Sequence, residues 1–235
     1  MKDLADAPHL SVIIPTLNEA AHIDAVLGDA LQGEALEVIV SDGGSSDGTP
    51  LRAARRGARI CRGPAGRACQ MNRGAAIARG AYYFFLHADS RLPEGFDRVI
   101  RRVLADPEVA AGAFSLVIGG DADPLRLVAG GANLRSRLLG LPYGDQGIFL
   151  RSSRFNRCGG FPDLPIMEDF ALIHRLRRTG RIVTVPQPIV TSSRRWQRLG
   201  ALRTTLINQA IIMAYLLGVS PERLAGWYHR SKRGG

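Results

Sequence analysis

"EVIVSDGGSSDGT", residues 37–49, decides how the chain is read. A β-branched, apolar run stops at Asp42, and a loop with three glycines follows. Beyond Gly48 the residues take up helical spacing. Strand, tight loop, helix is half of a βα unit, and the same order repeats on both sides. "LSVIIP" (10–15) reads as a buried strand and 19–32 as a helix with Ile23, Val26, Leu27 and Ala30 on one face. The second strand, 37–42, leads to a helix from about 47 to 56, with Ser46 or Asp47 placed to cap it. A short third strand (58–61) precedes a helix over 66–80 that a glycine ends. A fourth strand is expected over 82–89 and a further helix over 94–105. Repeated βα units imply an α/β fold with a mainly parallel sheet and helices on both faces. Ligands of such sheets sit outside the carboxyl ends of the strands. The loops 15–19, 41–49 and 87–90 should therefore converge.

Two of these loops carry chemistry. In "FFLHADS" (84–90), strand alternation would put His87 and Asp89 on one face at the strand's end. They would serve there as metal or ribose contacts, or Asp89-Ser90 would cap the next helix. The 41–49 loop lacks the G-x-G-x-x-G dinucleotide pattern and the acid spacing of a calcium loop. Asp42 either accepts a hydrogen bond from a planar base or only shapes the turn.

The 235 residues, 46% of them hydrophobic, suffice for one large core with an appendage. Cys61, Cys69 and Cys158 follow no metal-ligand spacing and cannot all pair, which points to buried thiols in a reducing compartment. The first ten residues lack the apolar core of a signal peptide, so a cytoplasmic protein is expected. The net charge of +10 is uneven. Arg194, Arg195, Arg198, Arg203, Arg223, Arg230, Lys232 and Arg233 face Glu222 alone, which suits an anionic surface.

Taken together, "IIPTLNEA" (13–20), "SDGGSSDGT" (41–49), "GRACQMNRGAA" (66–76), "FFLHADS" (84–90), "GDQGIFLRSSRFNRCGGF" (144–161) and "MEDFALIHRL" (167–176) resemble glycosyltransferase family 2, the inverting nucleotide-sugar transferases of GT-A fold. The resemblance spans about residues 10–200. It implies transfer of one sugar from a UDP- or GDP-sugar to an acceptor hydroxyl. Pro15, Glu19, Asp42 and Arg67 would bind the donor nucleotide. Asp89 would hold a divalent metal, Mg²⁺ or Mn²⁺, which neutralises the leaving diphosphate. His87 stands where the family carries an acid; it would contact ribose, join the metal if that is Mn²⁺, or only pack. Asp169 would be the base that takes the acceptor's proton. Glu168 would orient the helix start, although two acids at a helix N-terminus also follow from the dipole alone. Asp145 and Gln146 would touch sugar or acceptor.

In "SSRRW" (192–196), Arg195 and Trp196 match the Q-x-x-R-W of polymer-making relatives and would face the donor or acceptor, but Ser192 replaces the glutamine. The departure favours single-sugar transfer. "LINQAIIMAYLLGV" (206–219) is shorter than the roughly twenty apolar residues of a spanning helix. The chain then divides into a transferase domain, 1–200, and an apolar and basic helical appendage, 201–235. With flanking arginines and Trp227-Tyr228, the appendage suits a peripheral contact on the inner face of the plasma membrane, where a lipid acceptor would be met. Core packing or a homodimer contact is the other use of the same residues. Two other functions are possible for such a chain, and each lacks its own signal. A sugar-phosphate nucleotidyltransferase wants a basic, glycine-rich loop after its first strand, and "PTLNEA" has no basic residue. A nucleic-acid-binding module should show a motif beside the charge, and none is present, so no nucleic-acid partner is expected.

Overall fold

A computed structural model of the chain describes residues 9–120, 122–194, 196 and 200–233. Its centre is an eight-stranded sheet of order β3-β2-β1-β4-β7-β6-β8-β5. The strands are β1 (Leu10–Thr16), β2 (Leu36–Asp42), β3 (Arg59–Arg62), β4 (Tyr82–Phe85), β5 (Ser90–Arg91), β6 (Val109–Ile118), β7 (Ile148–Arg151) and β8 (Arg181–Thr191). The first half, β3-β2-β1-β4, is parallel throughout. β7 inserts antiparallel between β4 and β6, and β6 runs parallel to β8. The expected α/β class and mostly parallel sheet are present.

The helices are α1 (Ile23–Ala30), α2 (Thr49–Arg55), α3 (Arg67–Ile77), α4 (Phe96–Ala105), α5 (Asp123–Leu139), α6 (Ser152–Arg157), α7 (Glu168–Leu176), α8 (Ala201–Leu216) and α9 (Pro221–Arg233). One core, on one face of the sheet, joins Val12, Ile14, Phe84 and Phe149 to α1 and α4. A second, on the other face, joins Ile13, Phe85 and Leu150 to α3 and α7. A strand buried on both faces reads as an unbroken apolar run, which is why "SVII" shows no alternation.

Three local readings change. α1 starts at Ile23, four residues later than its spacing predicts. The residues before it are held by the neighbouring loop instead: Asn18 N–H donates to Ser45 Oγ at 2.8 Å and Ala20 N–H to Asp47 Oδ2 at 2.9 Å. α3 ends at Ile77, so Gly80 is not its stop. Gly80 lies against β1, where a Cβ would come within 2.6 Å of the Ser11 nitrogen. β4 ends at Phe85 and not at 89. Leu86 N–H still reaches Ile13 O at 3.0 Å, but the chain then turns, with Ser90 N–H donating to His87 O at 3.2 Å. His87 and Asp89 are thus placed by a turn, and strand alternation does not relate them.

The C-terminal helices lie on the protein. Ile211 and Leu224 pack with Met167 and Phe170, and the Tyr215 ring meets Phe170 edge-on at 5.8 Å. α8 also lies beside α5. Among the described residues no helix is long and apolar enough to cross a membrane. All three cysteines are free and half-buried. Arg151 donates to the carbonyls of Val109, Leu104 and Asp106 and closes the end of α4.

The carboxyl ends of β1 and β2 are tied by one buried side chain. Gln70 of α3 donates from Nε2 to Thr16 O at 2.8 Å and to Ser41 O at 2.9 Å. Its Oε1 accepts from Gly66 N–H at 3.2 Å, fixing the start of the same helix. Replacing Gln70 by leucine leaves these buried groups unsatisfied. Gln70→Leu should destabilise the fold by roughly 2–3 kcal/mol. Urea unfolding measures this, and a loss below half a kcal/mol would remove Gln70 as the clamp.

Candidate active site

The loop after β2 is stitched from within. Asp42 Oδ2 accepts from the Gly44 and Ser45 N–H groups, both at 3.0 Å. Its Oδ1 accepts from Thr16 Oγ1 at 3.4 Å, and the side chain is 1% exposed. As held here, the carboxylate shapes the turn. Asp47 joins this loop to the one after β1: Oδ1 accepts from Thr49 and Oδ2 from Ala20. The Thr49 hydroxyl holds its carboxyl below the usual range. Asn18 takes the left-handed conformation, φ 56°, which asparagine tolerates.

These contacts bring Glu19 toward Asp89. Arg194 lies between them, with Nη2 3.4 Å from Glu19 Oε2 and 3.4 Å from Asp89 Oδ2. In the sequence Arg194 reads as one more basic residue of the C-terminal excess; no local signal marks it. Pro15, one residue before the end of β1, pairs with Ser41 and is half-buried beside these loops.

An open cleft of about 220 Å³ lies next to them. Arg67, His87, Asp145, Glu168 and Asp169 form its polar side, and Tyr143 and Gly144 its edge. The opposing wall comes from the C-terminal helices, through Asn208, Ile211, Ile212, Ala225 and Tyr228. No sequence signal tied those helices to the site.

α7 delivers the two acids. Its N-cap, Met167, has φ 69°, an uncommon conformation for a residue with a long side chain that costs about 1–3 kcal/mol. Asp169 Oδ2 accepts from Gly144 N–H at 2.7 Å, which fixes the acid against the 144–146 turn. A Cβ on Gly144 would lie 3.1 Å from His87 Nε2 and 3.2 Å from Asp169 Oδ2, so glycine leaves both exposed to the same space. His87 and Asp169 both line the cleft beside Gly144, whereas Asp89 meets Arg194 together with Glu19.

Glu168 points elsewhere. It is 3% exposed and pairs with Arg67, Oε1 to Nη1 at 3.3 Å. Burial pushes its carboxyl up, the Arg67 charge opposes this, and the neighbouring Asp169 adds to the rise. For Arg67, confinement in the cleft acts to lower its pKa, but Glu168, Asp169, Tyr228 and Asp145 outweigh it and hold the guanidinium charged. The same attraction is felt by both partners; burial wins only for Glu168.

Two expected contacts are not made. Gln146 is fully buried: Nε2 donates to Phe114 O at 3.0 Å and Oε1 accepts from Tyr143 N–H at 3.3 Å. It holds the turn from below and does not face the cleft. Trp196 is 8% exposed in a small core with Leu116, Ile118, Leu125 and Ala129, so it is a packing residue. Arg195 lies outside the described residues. Among the described residues, no group of three or more His, Cys, Asp or Glu side chains gathers as a metal cluster.

The raised carboxyl of Glu168 has a consequence for stability. Its protonated form is favoured by folding, so its contribution is present below the ordinary glutamate range and is lost as pH rises through the higher folded value. Glu168→Gln has nothing to titrate there. Relative to wild type, the variant should gain stability as pH rises from 4 to 7, read from thermal melts at each pH. A relative loss over that range would mean that the Arg67 pair, not burial, dominates.

Residues 11–158 match the family model described as Glycosyl transferase family 2. No curated protein matches the chain. Among solved structures, the mannosyltransferase PcManGT from Pyrobaculum calidifontis, in complex with GDP-Man and Mn²⁺, is 22% identical with a TM-score of 0.66; the alignment covers 96% of this chain and 69% of that one. Glucosyl-3-phosphoglycerate synthase from Mycobacterium tuberculosis, with Mn²⁺, UDP and glucosyl-3-phosphoglycerate, is 20% identical with a TM-score of 0.65, covering 90% and 81%. S. aureus TarS 1-349 with UDP is 16% identical with a TM-score of 0.63, covering 78% and 60%. These likenesses give the fold, and the family match spans well over half of the chain: this protein belongs to glycosyl transferase family 2 and is a glycosyltransferase.

Proposed function

We propose that the protein moves one sugar from a nucleoside-diphosphate sugar to an acceptor hydroxyl, with inversion, using Asp169 as base. The observation that carries this reading is the position of Asp169: on the rim between the nucleotide-side loops and the cleft lined by α8 and α9, held by Gly144 N–H. The acceptor oxygen attacks the anomeric carbon as its proton passes to the Asp169 carboxylate. The bond from that carbon to the diphosphate oxygen breaks, and the nucleoside diphosphate leaves with the electron pair. Glu168 is unsuited to the same role, because it is buried and engaged with Arg67. Arg67 keeps 52% of its side chain open to the cleft and can meet donor phosphate while Glu168 fixes its position. His87 and Asp145 would contact the sugar or the acceptor.

The donor set also fits a divalent cation. Glu19 and Asp89 already converge on one positive nitrogen of Arg194, and hard carboxylate oxygens are the ligands Mg²⁺ and Mn²⁺ prefer. Asp89 would hold the ion with diphosphate oxygens and water, and Glu19 would stand beside it. When bound, such an ion neutralises charge on the leaving diphosphate. PcManGT and the glucosyl-3-phosphoglycerate synthase, whose structures contain Mn²⁺, support the choice of metal, and their GDP-Man and UDP the choice of donor class.

Asp169→Asn keeps shape but cannot take the proton. Turnover should fall about a hundredfold or more while donor affinity stays near that of wild type. Normal turnover on the acceptor would exclude Asp169 as the base. Asp89→Ala should lose the Mn²⁺-dependent part of UDP or GDP binding with the melting temperature preserved. Calorimetry decides this, and undiminished metal enhancement would sink the assignment.

A further inference from the structure

Large apolar side chains are exposed mostly in one region. On α5, Leu127 is 77%, Leu134 59% and Leu138 73% exposed. They are spaced seven and four residues apart, so they form one stripe. Leu125 and Ala129 on the other side of the helix pack into the protein. On the neighbouring α8, Ile207 and Ile211 pack inward and Ile212 lines the cleft, yet Leu206, Met213 and Leu216 face solvent. From Ala210 to Leu216 the helix is apolar on every side, and such a segment is expected to be covered on every side. Trp227 on α9 is also exposed.

We propose that the outer faces of α5 and α8 dock on an anionic membrane surface. Charge selects this occupant. Arg203 on α8 and Arg223 and Arg230 on α9 are exposed against Glu222 alone, Arg126 on α5 is exposed but paired with Asp123 at 3.5 Å, and the chain as a whole carries +10. A second copy would bring the same positive charge to the contact, whereas anionic headgroups neutralise it. Trp227 suits the headgroup level. α5 was not part of the surface expected from the sequence, which held only the tail. Lys232 and Arg233 of that tail have side chains outside the described residues.

Docking does not need the transferase reading, but its consequence does. α8 is both the docking face and a cleft wall, so an acceptor anchored in the bilayer by an apolar chain would pass along Ile212 to Asp169.

The test is flotation of the full chain with phosphatidylglycerol–phosphatidylcholine vesicles and with phosphatidylcholine alone, at low and high salt. Wild type should bind the anionic vesicles at low salt and be released at high salt. Leu127→Glu/Leu134→Glu/Leu138→Glu should weaken binding at least tenfold, and Arg203→Glu/Arg223→Glu should remove the preference for anionic lipid. Thermal stabilisation of each variant by UDP or GDP with Mn²⁺ tests the transferase reading separately, so failure of one is not failure of the other. Wild type left unbound at low salt would overturn the docking face, as would a triple variant that floats like wild type. A concentration-dependent doubling of mass without vesicles, abolished by the triple variant, would assign the face to a second copy instead.

Discussion

The Arg67–Glu168 ion pair joins the two halves of this enzyme. Arg67 begins α3, in the parallel half that carries the loops after β1 and β2, and Glu168 begins α7, in the half that follows β6. Glu168 is removed from water and would be costly as an isolated charge. The pairing fixes the start of α7, and Asp169 is the next residue. Its position against Gly144 thus inherits the register of both halves. The adjacent acids stand in different surroundings: Glu168 is buried and paired, while Asp169 lines the cleft.

The first half was legible because its signals are local. Apolar runs of strand length, glycines with positive φ at Gly44 and Gly48, and acids at strand ends fix the βα units and the loops. Element ends were less legible, because contacts distant in sequence set them. α1 begins late since Asn18 and Ala20 bond to the 45–47 loop, and β4 ends early since the chain turns at His87. Asp42 and Gln146 show the limit of motif reading: residue type and place match a binding role, yet their polar atoms are engaged with backbone. Arg194 was invisible as a site residue, because only the folded chain brings it to Glu19 and Asp89. The C-terminal helices were legible as apolar and basic, but not as a wall of the cleft.

Charge has two scales in this molecule. The chain is strongly basic, while the site gathers acids: Glu19 and Asp89 on one side, Asp145, Glu168 and Asp169 on the other. Arg67 and Arg194 each sit within one of these groups. A guanidinium on a long side chain can hold such a cluster together and also turn toward phosphate. The global excess lies outside the site and acts on the surface around it, where a field of one sign governs which surfaces approach.

Direct displacement assisted by a single base is the central claim, and the stereochemistry of the released sugar tests it most directly. The donor that stabilises the protein with Mn²⁺ is left to hydrolyse slowly, with water in place of the acceptor. Proton NMR then reads the anomeric signal before mutarotation. The account predicts that the anomer opposite to that of the donor appears first. First appearance of the donor's own anomer would require two displacements or a different reaction course, and would contradict the assignment of Asp169.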